Sequence, residues 1–364
     1  MSTTETILIV GGGVIGLSIA LELRLRGAEV TVLSRDLQQA AGYAAAGMLA
    51  PQAEAIPPGP MLDLCLWSRS LYPGWINKLE AMTGLTAGYW GCGILAPVYD
   101  IPPSLDSDSR AAYWLDRHAI QHHEPSLSSE VMGGYWFPDD AQVDNRALMR
   151  SLFTAVQDSG VTVQDGETVV ALLHQGDRVT GVQTDRSTWQ ADHYVLAAGA
   201  WSGDLLPVPV HPRKGQMLAV QAPTGKTLSL KQVLFGSEIY LVPRRDGRII
   251  VGATSEAVGF TPGNTAAGVR SLLERAIRLY PVLETYPIQE LWWGFRPITP
   301  DEAPILGFSP YQNLALATGH YRNGILLAPA TALLIADMIF AGKTSPLLAH
   351  HCHTRFGFKE HEST

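Results

Sequence analysis

The chain has 364 residues, a formal net charge of −8 and a hydrophobic fraction of 46%. This size and composition indicate a soluble protein with a large core, organised as two domains. The negative charge and the lack of a long basic run argue against nucleic-acid binding. The cysteines Cys65, Cys92 and Cys352 lie far apart without C-x-x-C spacing, so no disulfide framework and no metal site are expected, and a reducing cytoplasm fits best.

Two apolar stretches could be mistaken for export or membrane signals. The N-terminal stretch lacks a basic flank before it and a small-residue cleavage site after it. The run from Gly324 to Ala341 contains Pro329 and Asp337 and is short for a bilayer span. A buried helix is therefore predicted near the C-terminus, and no stable membrane association is expected.

The N-terminal stretch carries a nucleotide-binding pattern. A strand-like run at residues 7–10 leads into Gly11, Gly13 and Gly16, spaced as G-x-G-x-x-G, and a helical pattern and a second strand at 29–33 follow. The first glycine permits a tight turn, the second lets backbone approach a pyrophosphate, and the third allows close packing of helix on strand. The helix N-terminus adds unpaired N–H groups for the phosphates. This context predicts dinucleotide binding.

The residues after the second strand leave the adenosine contacts open. Many dinucleotide sites place an acid about twenty residues past the glycines to bind the ribose hydroxyls. Asp36 suits that role, whereas Ser34 and Arg35 could instead serve the adenosine side together. A solvated turn without a ligand is the third interpretation.

Residues 40–50 are unusually rich in alanine and glycine. Such small residues let the backbone lie against a flat ligand, for which a flavin ring has more use than a nicotinamide. A close contact between two helices is the alternative.

The rest of the pattern predicts further elements in chain order. They are a helix over 61–82, an irregular inserted layer over 84–140, a helix over 143–159 beginning at Asp144 or Asn145, strands at 161–163, 168–173, 179–184, 194–197 and 216–220, a hairpin over 239–253 turning at Asp246-Gly247, a helix over 266–280, strands at 290–297 and 314–317, and a long final helix.

Several stretches, in this order, resemble the D-amino-acid oxidase and glycine oxidase family of FAD-dependent amine oxidases. They are the glycine fingerprint, Ala44-Ala-Ala-Gly-Met-Leu49, residues 195–202, Tyr240-Leu-Val-Pro-Arg244, residues 251–254, Gly294-Phe-Arg-Pro297 and residues 319–331. The resemblance covers nearly the whole chain. It implies an α/β fold in which a Rossmann-like FAD-binding domain is interleaved with a substrate domain built on a large antiparallel sheet. The FAD-binding domain is expected at 1–85, 142–207 and 297–364, and the substrate domain at 86–141 and 208–296.

The resemblance also implies the residues around each ligand. Those expected around FAD are Gly11, Gly13, Val14, Ile15, Gly16, Ser34, Arg35, Ala41, Gly42, Ala46, Gly47, Met48, Val169, Gly199, Tyr321, Arg322, Asn323, Gly324, Ile325, Leu326 and Leu327. Tyr240, Arg296 and Arg322 fall where the family contacts its amino-acid substrate. The FAD is expected to be non-covalent, because no cysteine lies between Arg296 and Arg322.

The expected chemistry is hydride transfer from a small amino acid. Arg296 would hold the substrate carboxylate bidentately and Tyr240 would donate a hydrogen bond to it. Arg322 would orient the amine or close the pocket. No residue is expected as acid or base, and His320 is expected to be structural. Each arginine and the tyrosine also has a purely structural interpretation.

The resemblance implies oxidative deamination of glycine, sarcosine and small D-amino acids, with oxygen giving hydrogen peroxide and the product feeding thiamine thiazole synthesis. A homo-oligomer, a tetramer by resemblance, is expected. The alternatives are a D-amino-acid or sarcosine dehydrogenase that passes electrons to a quinone or carrier, and a flavin-binding protein without turnover.

Overall fold

A computed structural model of the chain describes residues 5–102, 112–223, 230–342 and 345–357. Within these ranges twenty strands form, β1 to β20 in chain order. They are Thr6–Val10, Glu29–Ser34, Met48–Leu49, Tyr89–Trp90, Ile94–Val98, Tyr113–Asp116, Gly133–Phe137, Ala141–Val143, Thr162–Asp165, Val169–Gln175, Arg178–Thr184, Thr188–Trp189, His193–Leu196, His211–Gln221, Val233–Phe235, Tyr240–Pro243, Arg248–Gly252, Ile288–Ile298, Ile305–Phe308 and Leu314–Thr318.

The same ranges contain nine α-helices, α1 to α9, and four short 3-10 helices. The α-helices are Val14–Leu25, Ala41–Ala44, Pro60–Thr83, Arg117–His123, Asn145–Asp158, Ser202–Leu205, Ala266–Leu279, Gly324–Ala341 and Pro346–Ala349; the 3-10 helices are Leu37–Gln39, Gly199–Trp201, Pro281–Thr285 and His353–Phe356.

A six-stranded sheet carries the first half of the architecture. Its order is β19-β20-β13-β1-β2-β9, and every pair except β19 with β20 is parallel. Both faces of its central strands are buried in apolar clusters. Helices α1, α3, α5 and α8 cover one face and share a core cluster with residues of β1, β2, β13 and β20. The other face packs against the three-stranded sheet β10-β11-β12. A parallel sheet with the glycine fingerprint in the turn between β1 and α1 is the arrangement expected for a dinucleotide-binding domain.

An eight-stranded sheet carries the other half, in the order β18-β14-β17-β16-β15-β5-β7-β6. All its pairs are antiparallel except β15 with β5, which is parallel. The expected large antiparallel sheet is therefore correct apart from this one pair. Alternation along the strands gives the sheet two apolar faces, one under α7 and the other against the 46–53 segment. Two further sheets of three strands, β10-β11-β12 and β3-β8-β4, complete the fold.

Most predicted elements form within one or two residues of the predicted bounds. The predicted start of α5 at Asp144 or Asn145 is confirmed: the helix begins at Asn145, and the Asp144 side chain accepts hydrogen bonds from the Arg146 and Ala147 N–H groups. Val143, at the edge of the predicted range, ends β8 instead. One prediction needs correction. The layer over 84–140 is not irregular, because it supplies strands β4 to β7 and helix α4, of which β5, β6 and β7 join the large sheet.

Helix α8 is long enough and apolar enough to cross a membrane, but 67% of it is buried inside the protein. It packs against α1 and α3, and the Ser68 hydroxyl of α3 donates a hydrogen bond to the Leu326 carbonyl at 2.6 Å. The helix is thus part of the core, as the sequence predicts.

The two large sheets alternate along the chain. Strands of the six-stranded sheet come from residues 6–34, 162–196 and 305–318, whereas those of the eight-stranded sheet come from 94–137 and 211–298. The domain boundaries given above stay a prediction, and residues 1–4, 103–111, 224–229, 343–344 and 358–364 lie outside the described residues.

Candidate active site

A cavity of about 570 Å³ lies between the two large sheets. One end opens at the carboxyl edge of the parallel sheet, where Val10, Ser34 and Ala197 mark the ends of three strands. The other end lies against the eight-stranded sheet, from which Tyr240 and Arg296 face the cavity. Ligands bind outside the carboxyl ends of strands in open α/β sheets, and this cavity occupies that position.

The three fingerprint glycines have distinct environments. Gly11 has φ +118°, and a Cβ there would overlap the Ala197 carbonyl. A Cβ on Gly16 would overlap the Gly11 carbonyl, so that residue permits the helix to pack on the turn. A Cβ on Gly13 would have only Ala40 within 4 Å, at 3.8 Å, and Gly13 lines the cavity. The backbone at Gly13 is therefore open to a ligand in the cavity.

Two long helices begin at the cavity wall without side-chain caps. Helix α1 follows Gly13, which has no side chain to cap it. Helix α8 follows Asn323, whose side chain accepts no hydrogen bond from the first turn. Val14, Ile15, Gly324 and Ile325 line the cavity. Unpaired N–H groups and the positive end of the helix dipole make both ends suited to anionic groups.

The predicted adenosine residues lie together at one end of the cavity. Ser34 is buried, and Ser34, Arg35 and Asp36 all line the wall. The Arg35 guanidinium stacks over the ring of Trp201 at 4.1 Å, while the Asp36 carboxylate accepts a hydrogen bond from the Gln38 N–H at 2.9 Å. Asp36 is thus engaged as a helix cap, and Arg35 is engaged by Trp201 and by Gln39 Oε1 at 3.3 Å, so the adenosine contact stays a prediction for each of the three residues.

The alanine-rich segment over 41–48 forms one wall and is fixed from behind. The Asn145 side-chain amide donates to the Gly42 and Tyr43 carbonyls at 2.9 and 3.0 Å. The Arg244 guanidinium donates to the Ala46 carbonyl at 2.7 Å, and also to Asn145 and to Gln142. Burial lowers the pKa of Arg244 to about 10, so it remains charged at neutral pH. A flat, rigid backbone surface results, with Ala41, Gly42, Ala46, Gly47 and Met48 facing the cavity.

Tyr240 and Arg296 converge over two glycines. Arg296 lies on β18 and Tyr240 on β16, with β14 and β17 between them, roughly 14 Å apart at the strand spacing of a sheet. A Cβ on Gly215 of β14 would overlap the Arg296 guanidinium, and a Cβ on Gly252 of β17 would lie 2.6 Å from the Tyr240 ring. Both side chains therefore lean inward across strands that offer no side chain at these points.

The Arg296 guanidinium has two neighbours in the protein. Its Nη1 donates to the Thr254 carbonyl at 3.1 Å, and the guanidinium also hydrogen-bonds the Tyr240 side chain. Burial raises the pKa of Tyr240, and Arg296 partly offsets that shift, so the hydroxyl remains a hydrogen-bond donor at neutral pH. The pair presents a cationic fork and an O–H group to the same space, which suits a carboxylate.

Arg322 and Tyr321 complete this end of the cavity. Arg322 Nη2 donates to the Tyr321 hydroxyl at 3.2 Å, and Tyr321 has φ +46°. His320 lies behind them with Nε2 3.1 Å from the Thr331 hydroxyl. Burial lowers the pKa of His320 to about 3, so it is neutral, in keeping with the structural role expected for it.

Most of the residues expected around FAD, together with the three expected at the substrate, line this one cavity. They are Gly11, Gly13, Val14, Ile15, Ser34, Arg35, Ala41, Gly42, Ala46, Gly47, Met48, Val169, Gly199, Tyr240, Arg296, Tyr321, Arg322, Gly324 and Ile325. Four expected residues lie outside the wall. Gly16 packs on Gly11, Asn323 is the first residue before α8, and Leu326 and Leu327 are fully buried in the core cluster of α1, α3 and α8.

Sequence reasoning missed four residues that shape the site. Gly215 lies in no motif, and Gly252 lies in the stretch 251–254, but only the register of the sheet places them beneath Arg296 and Tyr240. Trp201 belongs to a quoted motif, but its stacking on Arg35 needs the fold. Glu54 lies in a loop without any motif, yet it lines the cavity near both arginines.

Comparison with known proteins gives the family. The description "FAD dependent oxidoreductase" matches residues 6–338. The chain belongs to the FAD-dependent oxidoreductase family. The prediction of an FAD-dependent enzyme of this family, with an α/β fold, is confirmed.

Individual relatives are consistent with this assignment. The chain is 59% identical over 360 residues to the bifunctional protein ThiO/ThiG of Trichormus variabilis, covering 97% of this chain and 55% of the relative. It thus spans about half the length of that relative. It is 33% identical over 372 residues to the glycine oxidase of Geobacillus kaustophilus, covering 98% of each.

Solved structures agree. The crystal structure of the glycine oxidase from Geobacillus kaustophilus matches with a TM-score of 0.89 and 32% identity, over 97% of this chain and 99% of that one. The iminodiacetate oxidase from Chelativorans matches with a TM-score of 0.88 and 26% identity, over 95% and 98%.

The cavity fits FAD on its own features. A flavin dinucleotide needs a helix N-terminus for its pyrophosphate, a place for adenosine and a surface for its ring system, where a second helix N-terminus can stabilise negative charge. The uncapped helices α1 and α8, the Ser34–Arg35 end and the alanine-rich wall supply these in one continuous space.

The glycine environments predict a contrast between two variants. In Gly13→Val the side chain meets no protein atom closely and extends toward the cavity, so the protein should fold but purify with little FAD. In Gly16→Val the side chain meets backbone, so soluble yield should fall sharply. Flavin absorbance per protein and circular dichroism measure the two effects. A Gly13→Val protein with full FAD content would contradict the assignment of this turn.

Proposed function

We propose that this protein catalyses the oxidative deamination of glycine and other small amino acids, such as sarcosine and small D-amino acids. The observation that carries the proposal is the convergence of Arg296 and Tyr240 over Gly215 and Gly252, opposite the flat wall at 41–48. The arginine fork and tyrosine hydroxyl suit one carboxylate. Relatives named glycine oxidase, one of them similar over 98% of both chains, support the substrate class.

The residues on the wall each have a part in this reaction. Arg296 and Tyr240 bind the carboxylate and thereby fix the position of the alpha carbon, which lowers the entropic cost of reaching the reactive geometry. Arg322 covers the site with its guanidinium packed over Tyr321. FAD, when bound, supplies the acceptor for the hydride that leaves the alpha carbon. Water then hydrolyses the resulting imine to a 2-oxo acid and ammonia, and oxygen is reduced to hydrogen peroxide.

The name of the bifunctional relative ThiO/ThiG supports a biosynthetic setting. We propose that the imine or oxo acid made from glycine feeds thiamine thiazole synthesis. Release of hydrogen peroxide in air distinguishes this oxidase from a dehydrogenase that reduces a quinone or another carrier.

We also propose a cytoplasmic homo-oligomer. The three cysteines are free thiols, which fits a reducing compartment. The edge strand β18 is eleven residues long and exposes Ile288, Leu291 and Trp293. A long edge strand with exposed apolar side chains is usually covered, and a second copy of the chain would cover it.

Arg296→Ala tests the carboxylate role. Losing the partner of a desolvated charge costs about 2–5 kcal/mol, so kcat/KM for glycine should fall roughly 30-fold to several thousand-fold, measured by peroxide release. FAD content should stay unchanged, and Arg296→Lys should recover only part of the activity because an ammonium lacks the planar fork. The matched control is Arg245→Ala, which removes an exposed guanidinium from the turn between β16 and β17, outside the cavity. Equal losses in both variants would contradict the role.

Gly215→Ala tests the geometry that aims Arg296. The three atoms nearest to the added methyl all belong to the flexible end of the Arg296 side chain, so the fold should tolerate the change while the guanidinium moves. A displacement near 1 Å costs on the order of 100-fold, so kcat/KM for glycine should fall by about 10- to 100-fold with little change in thermal stability. Gly74→Ala, in open space on α3, serves as control. Full activity of Gly215→Ala would show that this close approach does not aim the arginine.

A further inference from the structure

Glu54 lies in a tight turn between β3 and α3. Its N–H donates to the Ala50 carbonyl at 2.9 Å, and the Ala55 N–H donates to the Gln52 carbonyl at 3.0 Å. Ala55 has φ +52°, a left-handed conformation that a non-glycine residue adopts uncommonly. The turn therefore holds a defined shape and directs the Glu54 side chain to the cavity wall.

A buried ion pair anchors this turn. The Asp140 carboxylate is fully buried and accepts the Ala53 N–H at 2.8 Å and Arg69 Nη1 at 2.5 Å. These bonds fix the backbone immediately before Glu54 to the main body of the protein. The position of Glu54 is thus set by the fold rather than by its own solvation.

The Glu54 carboxylate and the guanidinium groups of Arg296 and Arg322 are complementary to the two charges of an amino-acid zwitterion. Arg296 and Arg322 both attract the Glu54 carboxylate, yet neither lies within the 4.0 Å of an ion pair. A space thus separates one carboxylate from two guanidinium groups. A small amino acid placed there with its carboxylate on Arg296 would have its ammonium toward Glu54. Glu238, another carboxylate that lines the cavity, is solvent-exposed and pairs with Arg275 at 4.0 Å.

We propose that Glu54 binds the amino group of the substrate and accepts the proton that the ammonium must lose before oxidation. This inference rests on the proposed function, because it assumes an amino acid held by Arg296. One N–H bond of the ammonium breaks and one O–H bond forms on the Glu54 carboxylate, with no change in oxidation state. The amine then carries the lone pair that an imine product requires.

The environment of Glu54 suits a proton acceptor at neutral pH. Desolvation raises the pKa of Glu54 to about 7, Asp140 and Glu302 add to the rise, and Arg322 and Arg296 oppose it. Burial also raises the pKa of Tyr240 and of Cys65, whose thiol is close enough to sense the Glu54 charge. Both of these groups are therefore protonated near neutral pH, which leaves Glu54 to take the proton. An acceptor with a pKa near the working pH is the effective one.

The test compares pH profiles of the FAD-loaded wild type, Glu54→Gln and the matched control Glu238→Gln, with glycine as substrate. In wild type, kcat/KM should rise as pH passes about 7, where Glu54 loses its proton. Glu54→Gln should lose this limb and fall on the order of 100-fold at pH 7, since general acid–base catalysis contributes about 10² or more. The ratio of the wild-type kcat/KM to that of Glu54→Gln should shrink about tenfold per pH unit above 7, because the fraction of glycine that enters the site from solution with a free amine rises with pH. Glu238→Gln should keep the limb.

A binding measurement separates this role from a structural one. Glycolate has the carboxylate of glycine but no amine, so its binding, followed by the flavin absorbance, should be as tight or tighter in Glu54→Gln. A loss of activity that is equal at every pH, or weaker glycolate binding, would overturn the proposal. If none of the amino acids tested reduces the flavin of the wild-type protein, the proposed function fails. If the wild type is active but Glu54→Gln keeps the wild-type pH profile, only this inference fails.

Discussion

The buried guanidinium of Arg244 joins the two halves of this protein at the wall of its cavity. It lies at the end of β16, a strand of the large sheet, and donates to the Ala46 carbonyl, Asn145 and Gln142 from the other layer. A buried charge costs several kcal/mol unless it is fully bonded, so these partners can separate only at that cost. The alanine-rich wall is therefore kept at a fixed distance from the strands that carry Tyr240 and Arg296.

The absence of side chains is as important to this site as their presence. Gly13 leaves space at the N-terminus of α1, and Gly215 and Gly252 leave space beneath Arg296 and Tyr240. The wall over 41–48 is likewise built of alanine and glycine. Each position lets a backbone or a long side chain come close to a ligand. The chemical groups themselves are few, which is consistent with a cofactor that carries the difficult chemistry.

Local patterns in the sequence were enough to predict much of the fold. The glycine fingerprint, the apolar run over 324–341 and the Asp246-Gly247 turn each carry a strong short-range signal, and each forms as predicted. Strands β5 to β7 were missed because they hold mixed aromatic, proline and glycine residues and gain their stability only by pairing within the large sheet. Leu326 and Leu327 belong to a motif near the cavity, but the helical period turns them into the core.

The residues of the candidate site likewise divide into those with a local sequence signal and those whose role depends on the fold. Arg296 and Tyr240 could be predicted because they lie in recognisable stretches. Gly252 lies in such a stretch too, but its role beneath Tyr240, like that of Gly215 beneath Arg296, depends on strand register. Glu54 could not be predicted because its position depends on a turn fixed by distant Asp140.

The central claim is that an amino acid held by Arg296 and Tyr240 is oxidised within this cavity. Anaerobic mixing of the FAD-loaded protein with glycine tests it most directly, because a single turnover requires neither oxygen nor product release. The account predicts that the absorbance of the oxidised flavin is lost and that ammonia appears in an amount equal to the flavin. Oxidised flavin that persists with glycine, sarcosine and D-alanine alike would contradict it.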